Sequence, residues 1–243
     1  MKTPFTTTAA HNAAVVVSNA ARPLLISMLR SQSYRELAAV QMLQEALAFV
    51  PQAMRQRLEH QQDEERTHLA AALKLWHAIT GEPTEVLLEQ ARARMERKPL
   101  PAMRSALDVA MAQFVFDRAG YFQLREYVGG SCEDYSQMAR AIVAEEEEHQ
   151  AEGAIALIPL AAAEPRQAQA TFELWLRTSL LSFGRPDSEG DRLAVAIGLK
   201  RRQAALVMQD FIDSLRPTLA QAGLRLPSKE SLELELPDDL GLG

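Results

Sequence analysis

Glu-x-x-His occurs twice in this chain, as Glu65/His68 and as Glu146/His149. Residues three apart on a helix share a face, so each pair directs a carboxylate and an imidazole toward one point. Each pair also follows another acid at one fixed distance: Glu36 precedes Glu65, and Asp117 precedes Glu146, by the same 29 residues. Two such pairs, each with a helical carboxylate upstream, form the pattern of a four-helix bundle holding two metal ions in its core. The constraint on the fold is severe, because four helices must bring six side chains to one depth. Four carboxylates balance two divalent ions, and the mixed oxygen and nitrogen donors suit iron or manganese better than softer thiolate sites do.

The upstream acids have rivals nine residues on, Glu45 for Glu36 and Glu126 for Asp117. Depth separates them. Two antiparallel helices joined by a short turn bring together residues equally far from that turn. With a turn near residues 50–51, Glu36 and Glu65 each lie about 14 residues away, roughly 21 Å down their helices. A turn near residue 131 balances Asp117 and Glu146 in the same way. Glu45 and Glu126 would sit near the loops, and nine residues is half a turn out of phase, so both should face away. Within the pairs, Glu65 and Glu146 are the expected bridging carboxylates, Glu36 and Asp117 the terminal ones, and His68 and His149 the neutral nitrogen donors.

The rest of the chain agrees with an all-α protein. Ala, Leu, Gln, Glu and Arg dominate and aromatic residues are only 6%, which favours helix over sheet. The punctuation predicts helices over about 23–49, 52–79, 84–98, 101–128, 131–160, 167–182 and 191–222, with turns at Gly81-Glu82-Pro83, Lys98-Pro99-Leu100-Pro101 and Gly129-Gly130-Ser131. The expected organisation is one domain over residues 1–243: a core bundle over 23–160, C-terminal helices over 167–222 and a surface-hugging tail over 227–243. Residues 1–20 show no strong period.

Several features exclude other classes. A net charge of −6 argues against a nucleic-acid binder that relies on a basic field. One cysteine, Cys132, rules out an internal disulfide and a thiolate cluster, and it reads as a capping or packing residue. No apolar run reaches membrane-spanning length, and the short apolar patch at residues 13–17 is too weak for a secretory signal, so a cytoplasmic protein is expected. His11, His60 and His77 have no glutamate three residues earlier and read as surface or packing histidines. Trp76 and Trp175 read as core. Glu145, Glu147 and Glu148 read mostly as a solvated face. Asp63 and Glu64 read the same way, with a hydrogen bond to a ligating histidine of a neighbouring helix as the functional alternative. Lys200-Arg201-Arg202 reads as a solvated face, with a docking point for an anionic group or partner as its alternative.

Glu145-Glu146-x-x-His149-Gln150-x-x-Gly153, with Asp117 upstream, resembles the catalytic-subunit family of the ring-1,2-phenylacetyl-coenzyme A epoxidase, a ferritin-like di-iron monooxygenase. Asp63, Glu65 and His68 with Glu36 upstream resemble that family's first half. Phe183-Gly184-Arg185-Pro186-Asp187 resembles its Phe-Gly-Pro-Pro-Asp turn, and the stretch from Gly198 to Pro227 resembles its last long helix and following turn. The similarity covers roughly residues 25–228. The resemblance implies a ferritin-like bundle with additional C-terminal helices and two iron ions on Glu36, Glu65, His68, Asp117, Glu146 and His149. It implies O2 as co-substrate, with no catalytic residue beyond the metal centre and no other cofactor site. One oxygen atom would enter a small-molecule organic substrate, an aromatic acyl-coenzyme A thioester being the family's own. Electrons would come from a separate reductase, and a homologous non-catalytic subunit or a second copy would be the protein partner. A di-iron oxygenase of secondary metabolism with a non-CoA substrate, and a non-catalytic or ferroxidase-type ferritin-like protein, are the alternatives.

Overall fold

A computed structural model describes residues 18–237 and 240–242. His11, the patch at residues 13–17 and the tail residues Asp238, Asp239 and Gly243 lie outside them. The fold is an all-α ferritin-like bundle. Helices α1 (Ala21–Ala46) and α2 (Gln52–Thr80) form a long antiparallel hairpin. Helix α3 (Thr84–Arg97) packs on both. The third bundle helix is built from α4 (Ala106–Met111), a π-helical stretch (Ala112–Asp117) and α5 (Arg118–Leu124). The fourth, α6 (Glu133–Ala163), packs along all three of these pieces and against α2. Helices α7 (Pro165–Ser182) and α9 (Ala204–Ala222) cover the outer side of the third and fourth helices. The short α8 (Glu189–Ala196) reaches α1, and α10 (Lys229–Leu232) ends the helical chain. No helix among the described residues is long and apolar enough to cross a membrane.

Three boundaries differ from expectation, each for a local reason. The third bundle helix starts at Ala106 rather than near Pro101. The Ser105 hydroxyl accepts from the Asp108 amide while the Asp108 carboxylate accepts from the Arg104 amide, 3.2 and 3.1 Å, and this reciprocal cap outcompetes a start at the proline. The same helix is not regular: its backbone takes an extra residue per turn over Ala112–Asp117. The helix expected over 191–222 is two helices. Gly198 adopts a left-handed φ of 70°, and the Asp191 carboxylate accepts from the Ala204 amide at 3.1 Å, capping α9 while it pairs with Lys200.

Packing is organised in layers along the bundle. One hydrophobic cluster, at the end holding the α1–α2 turn, contains Leu43, Leu47, Leu58, Leu107, Phe114 and Leu157, and α7 and α9 join it through Trp175 and Phe211. A second cluster at the opposite end contains Leu25, Leu29, Leu75, Trp76, Tyr135 and Ile142. Between them the sequence of each bundle helix switches to polar residues that stay buried: Gln32, Ser33 and Glu36 on α1; Gln61, Gln62, Glu65 and His68 on α2; Gln113 and Asp117 on the π stretch; Glu146, His149 and Gln150 on α6. Buried charge is costly unless paired or metal-bound, so this polar layer between two apolar plugs is where the fold is committed to something other than packing.

Candidate metal centre

The six residues singled out by spacing meet in that layer. Glu36, Glu65 and His68 form one cluster and Asp117, Glu146 and His149 another, the donor atoms of each lying within 4.8 Å of one another and every residue buried. Glu65 is the link between them. One of its oxygens stands 3.5 Å from His68 Nδ1 and the other 3.9 Å from His149 Nδ1. Glu36 approaches His68 Nδ1 at 3.7 Å, and Glu146 approaches His149 Nδ1 at 3.8 Å. Glu45 is exposed and takes no part. Glu126 is also away from the site but buried, contrary to a simple surface reading: Arg202 donates to it at 2.8 Å and Arg201 lies 3.6 Å away. That cage, together with the Lys200–Asp191 pair, occupies the basic cluster Lys200-Arg201-Arg202 and ties the 3-10 turn after α5 (Arg125–Tyr127) to the segment leading into α9. The cluster is therefore structural, neither a simple solvated face nor a free docking point.

The imidazoles are oriented from outside. His68 Nε2 is hydrogen-bonded to Glu145 on α6, and His149 Nε2 to Glu64 on α2 at 2.9 Å. Each histidine is thus held by the residue directly before the glutamate of the opposite pair, a reciprocal exchange across the bundle. This fixes Nδ1 of both rings toward the interior, where neither has a hydrogen-bond partner; Glu146 Oε2 is likewise buried and unpartnered. The alternative reading of Glu64 is the observed one, whereas Asp63 beside it pairs with Arg66 in solvent at 2.6 Å. Glu145, read as solvated, belongs with Glu64. The signal was present in the sequence as Glu-Glu-x-x-His in both halves.

The carboxylates have supports that spacing did not reveal. Gln32 donates to Glu36 from one turn earlier. Gln61 Nε2 donates to Asp117 at 3.2 Å, and Gln61 Oε1 accepts from Gln113 Nε2 at 2.7 Å. Gln113 and Asp117, four residues apart on the π stretch, are both buried beside α6. Gly153 of α6 permits the approach: a Cβ there would lie 2.5 Å from the Phe114 backbone nitrogen. π-Helical turns often mark functional positions in this way. Arg35 closes the layer, its guanidinium 5.2 Å over the Phe116 ring and in the space a Gly120 side chain would need, beside Glu146.

The electrostatics follow from four acids in one buried layer. Burial alone would depress the histidines, but the Glu36 and Glu65 carboxylates outweigh it at His68 and lift it to about 11. Glu146, with Asp117 and Glu64, does the same at His149, lifting it to about 10. Burial drives Glu65 well above the usual carboxylate range, with Glu36 and Glu146 adding to it. Burial and Glu146 raise Asp117 in the same way. Glu36 goes down despite burial, because the His68 imidazole, its Nδ1 3.7 Å away, favours the charged carboxylate. Without a cation, this site holds protons where a metal would otherwise stand. The inward Nδ1 atoms, the orphaned Glu146 Oε2 and the four-carboxylate, two-imidazole donor set fit a pair of divalent ions.

A family model described as phenylacetic acid catabolic protein matches residues 102–235, more than half of the chain. That match contains Asp117, Glu146 and His149, while Glu36, Glu65 and His68 precede it. No curated protein matches the chain.

Proposed function

The chain belongs to the phenylacetic acid catabolic protein family, and from that premise we propose that it is an O2-dependent di-iron monooxygenase inserting one oxygen atom into an organic substrate. The observation that carries this reading is the pair of inward, unpartnered imidazole Nδ1 atoms facing four buried acids. Glu36, Glu65 and His68 would hold one iron, and Asp117, Glu146 and His149 the other. Glu65 suits a bridging role because its two oxygens address the two histidines separately; Glu146 is the second candidate bridge. When bound, the iron pair supplies the reduction of O2 and the oxidising power for the substrate.

The chain's own residues do the rest. Glu64 and Glu145 hold each imidazole with Nδ1 inward, which keeps that nitrogen available as a donor. The two apolar clusters keep bulk water from the polar layer along the bundle axis. Gln61 holds the Asp117 carboxylate in position. A purely structural subunit has no use for such a layer, since buried acids without a cation weaken a fold; this favours a catalytic role over a supporting one. Electrons would come from a separate reductase, with a homologous subunit or a second copy as protein partner.

The test is iron per chain after anaerobic ferrous loading, in wild type and in Glu146→Ala, followed by O2 consumption with a reductant and candidate substrates. About two irons are expected in the wild type by analogy with di-iron bundles, with a fall in the variant. A folded wild type that binds no iron would overturn the reading.

A further inference from the structure

One hollow of about 350 Å³ stands against the metal layer, between α1, the loop at residues 98–101 and α7. Its lining holds four cations, Arg35, Arg94, Lys98 and Arg177, and no acid, although acids outnumber bases 32 to 26 in the chain. Among the described residues, none of the four forms an ion pair with a carboxylate. Two are held in place by aromatic rings. Arg94 lies 4.4 Å over the Tyr34 ring and donates Nη1 to the Ser31 hydroxyl at 3.5 Å, and Arg35 lies 5.2 Å over Phe116, ring contacts that fix a guanidinium by its flat face. Arg177 donates Nε to the Leu232 carbonyl at 3.1 Å. The loop that carries Lys98 is pinned by the Tyr34 hydroxyl, which donates to the Lys98 carbonyl at 2.7 Å.

The remaining wall is apolar. Phe116 lies deep, and Leu174 and Leu181 of α7, half exposed to solvent, stand at the hollow. Four cations interleaved with Phe116, Leu174 and Leu181 describe a site for an amphipathic anion. Arginine's planar fork matches a carboxylate. The volume is at the small end for ligand pockets, suited to one ring or a short chain bearing an acid group.

We propose that this hollow binds a small aryl or alkyl carboxylate, its acid group on Arg94 and Arg177 and its apolar body against Phe116, Leu174 and Leu181. Arg35 touches both the hollow and the edge of the metal layer at Gly120 and Glu146, so an acid bound there lies next to the candidate metal centre. Treating that acid as the oxygenase substrate rests on the function proposed above; the binding itself does not need metal.

Calorimetric titration of an arylacetate into the full-length, metal-free chain tests it, with the corresponding amide and an aryl phosphate as further probes. Saturable arylacetate binding is expected, with the amide and the single variants Arg94→Gln and Arg177→Gln each weaker by about tenfold or more, the size of one lost charge-assisted contact. Thermal melting confirms that each variant is folded; Arg94 and Arg177 are chosen because neither belongs to the bundle's buried layer. No arylacetate binding, equal binding of acid and amide, or unchanged affinity in both folded variants would overturn the site. Tighter binding of the aryl phosphate would overturn the carboxylate assignment. A chain that loads iron but ignores the arylacetate removes the anion site alone. A chain that binds the arylacetate but no iron keeps the site and removes the oxygenase reading.

Discussion

The two halves of the metal layer repeat the same residues on different backbones. In the first half, Glu36, Glu65 and His68 stand on α1 and α2, two regular helices of one hairpin, and Glu36 is supported by Gln32 one turn away on its own helix. In the second half, Asp117 is one carbon shorter, leaves a π-helical stretch, and is supported across the bundle by Gln61 and Gln113. The protons divide accordingly: Glu36 is pulled down by His68, while burial and Glu146 push Asp117 up. In either half a metal would compete with protons on the histidine and on a raised acid, Glu65 in the first and Asp117 in the second. Glu65, which faces both histidines, couples the two halves.

Removing Glu65 breaks that comparison most completely. Glu65→Ala should lose both ions, whereas Glu36→Ala and Asp117→Ala should each leave about one, by the logic of two triads sharing a carboxylate. Metal analysis after ferrous loading reads this directly. If Glu65→Ala keeps one tight iron, the halves are independent and the bridging role is wrong.

The histidine supports come next in size. Glu64→Gln acts on His149 in the second half and Glu145→Gln on His68 in the first. Loss of such an outer partner lowers metal affinity by about 10–100-fold. Glu64 is the less exposed of the two, with 20% of its side chain accessible against 39% for Glu145, so the larger loss should fall on the second half. Competition with a chelator of known affinity measures both, and equal small effects would mean that solvent replaces either carboxylate.

Gly153→Ala addresses the backbone difference alone. The added methyl meets the π stretch at Phe114 and Gln113, main chain that has little room to move, and overpacking of this kind costs about 1–3 kcal/mol. Denaturant unfolding of the metal-free chain should show that loss. Metal titration should then show the second half weakened more than the first, since Asp117 and Gln113 are displaced and Glu36 is not.

Six residues from four helices were legible because the i, i+3 rule is local and the 29-residue repeat sets depth. The same reasoning separated Glu36 from Glu45, which the structure leaves in solvent. It also set Glu126 apart from Asp117 without revealing why Glu126 is buried, because its arginine partners come from a loop more than 70 residues later. The π stretch left no mark in the hydrophobic period because all six of its residues are buried, so it has no exposed polar face whose shift could show. Gln61, Gln113 and Arg35 are ordinary polar residues until the helices pack, and their roles depend on partners tens of residues away. The 191–222 stretch read as one helix because its apolar period continues across Gly198; the break is imposed by Asp191 capping α9.

The smallest expected effects concern pH and the surface. His68 and His149 gain protons on folding, so the stability they add is complete below the unfolded histidine value of about 6.5. It is lost as pH rises through their folded values of about 11 and 10. Glu65 and Asp117, also raised, act with the same sign, while Glu36, lowered, matters only as the pH falls toward its own range. The metal-free chain should thus melt at progressively lower temperature between pH 6.5 and 10, and iron should flatten the dependence by taking the place of the protons. A metal-free chain indifferent to pH over that window would mean that the histidines are not charged in it. Asp63→Ala is the control that gives these shifts their scale. Asp63 is next to Glu64 in sequence, yet its side chain is 73% exposed and its partner Arg66 is half exposed. Such pairs contribute about 0.2–1 kcal/mol. Its loss should therefore leave metal affinity and the pH profile where they were, even though Glu64→Gln, one residue away, moves both.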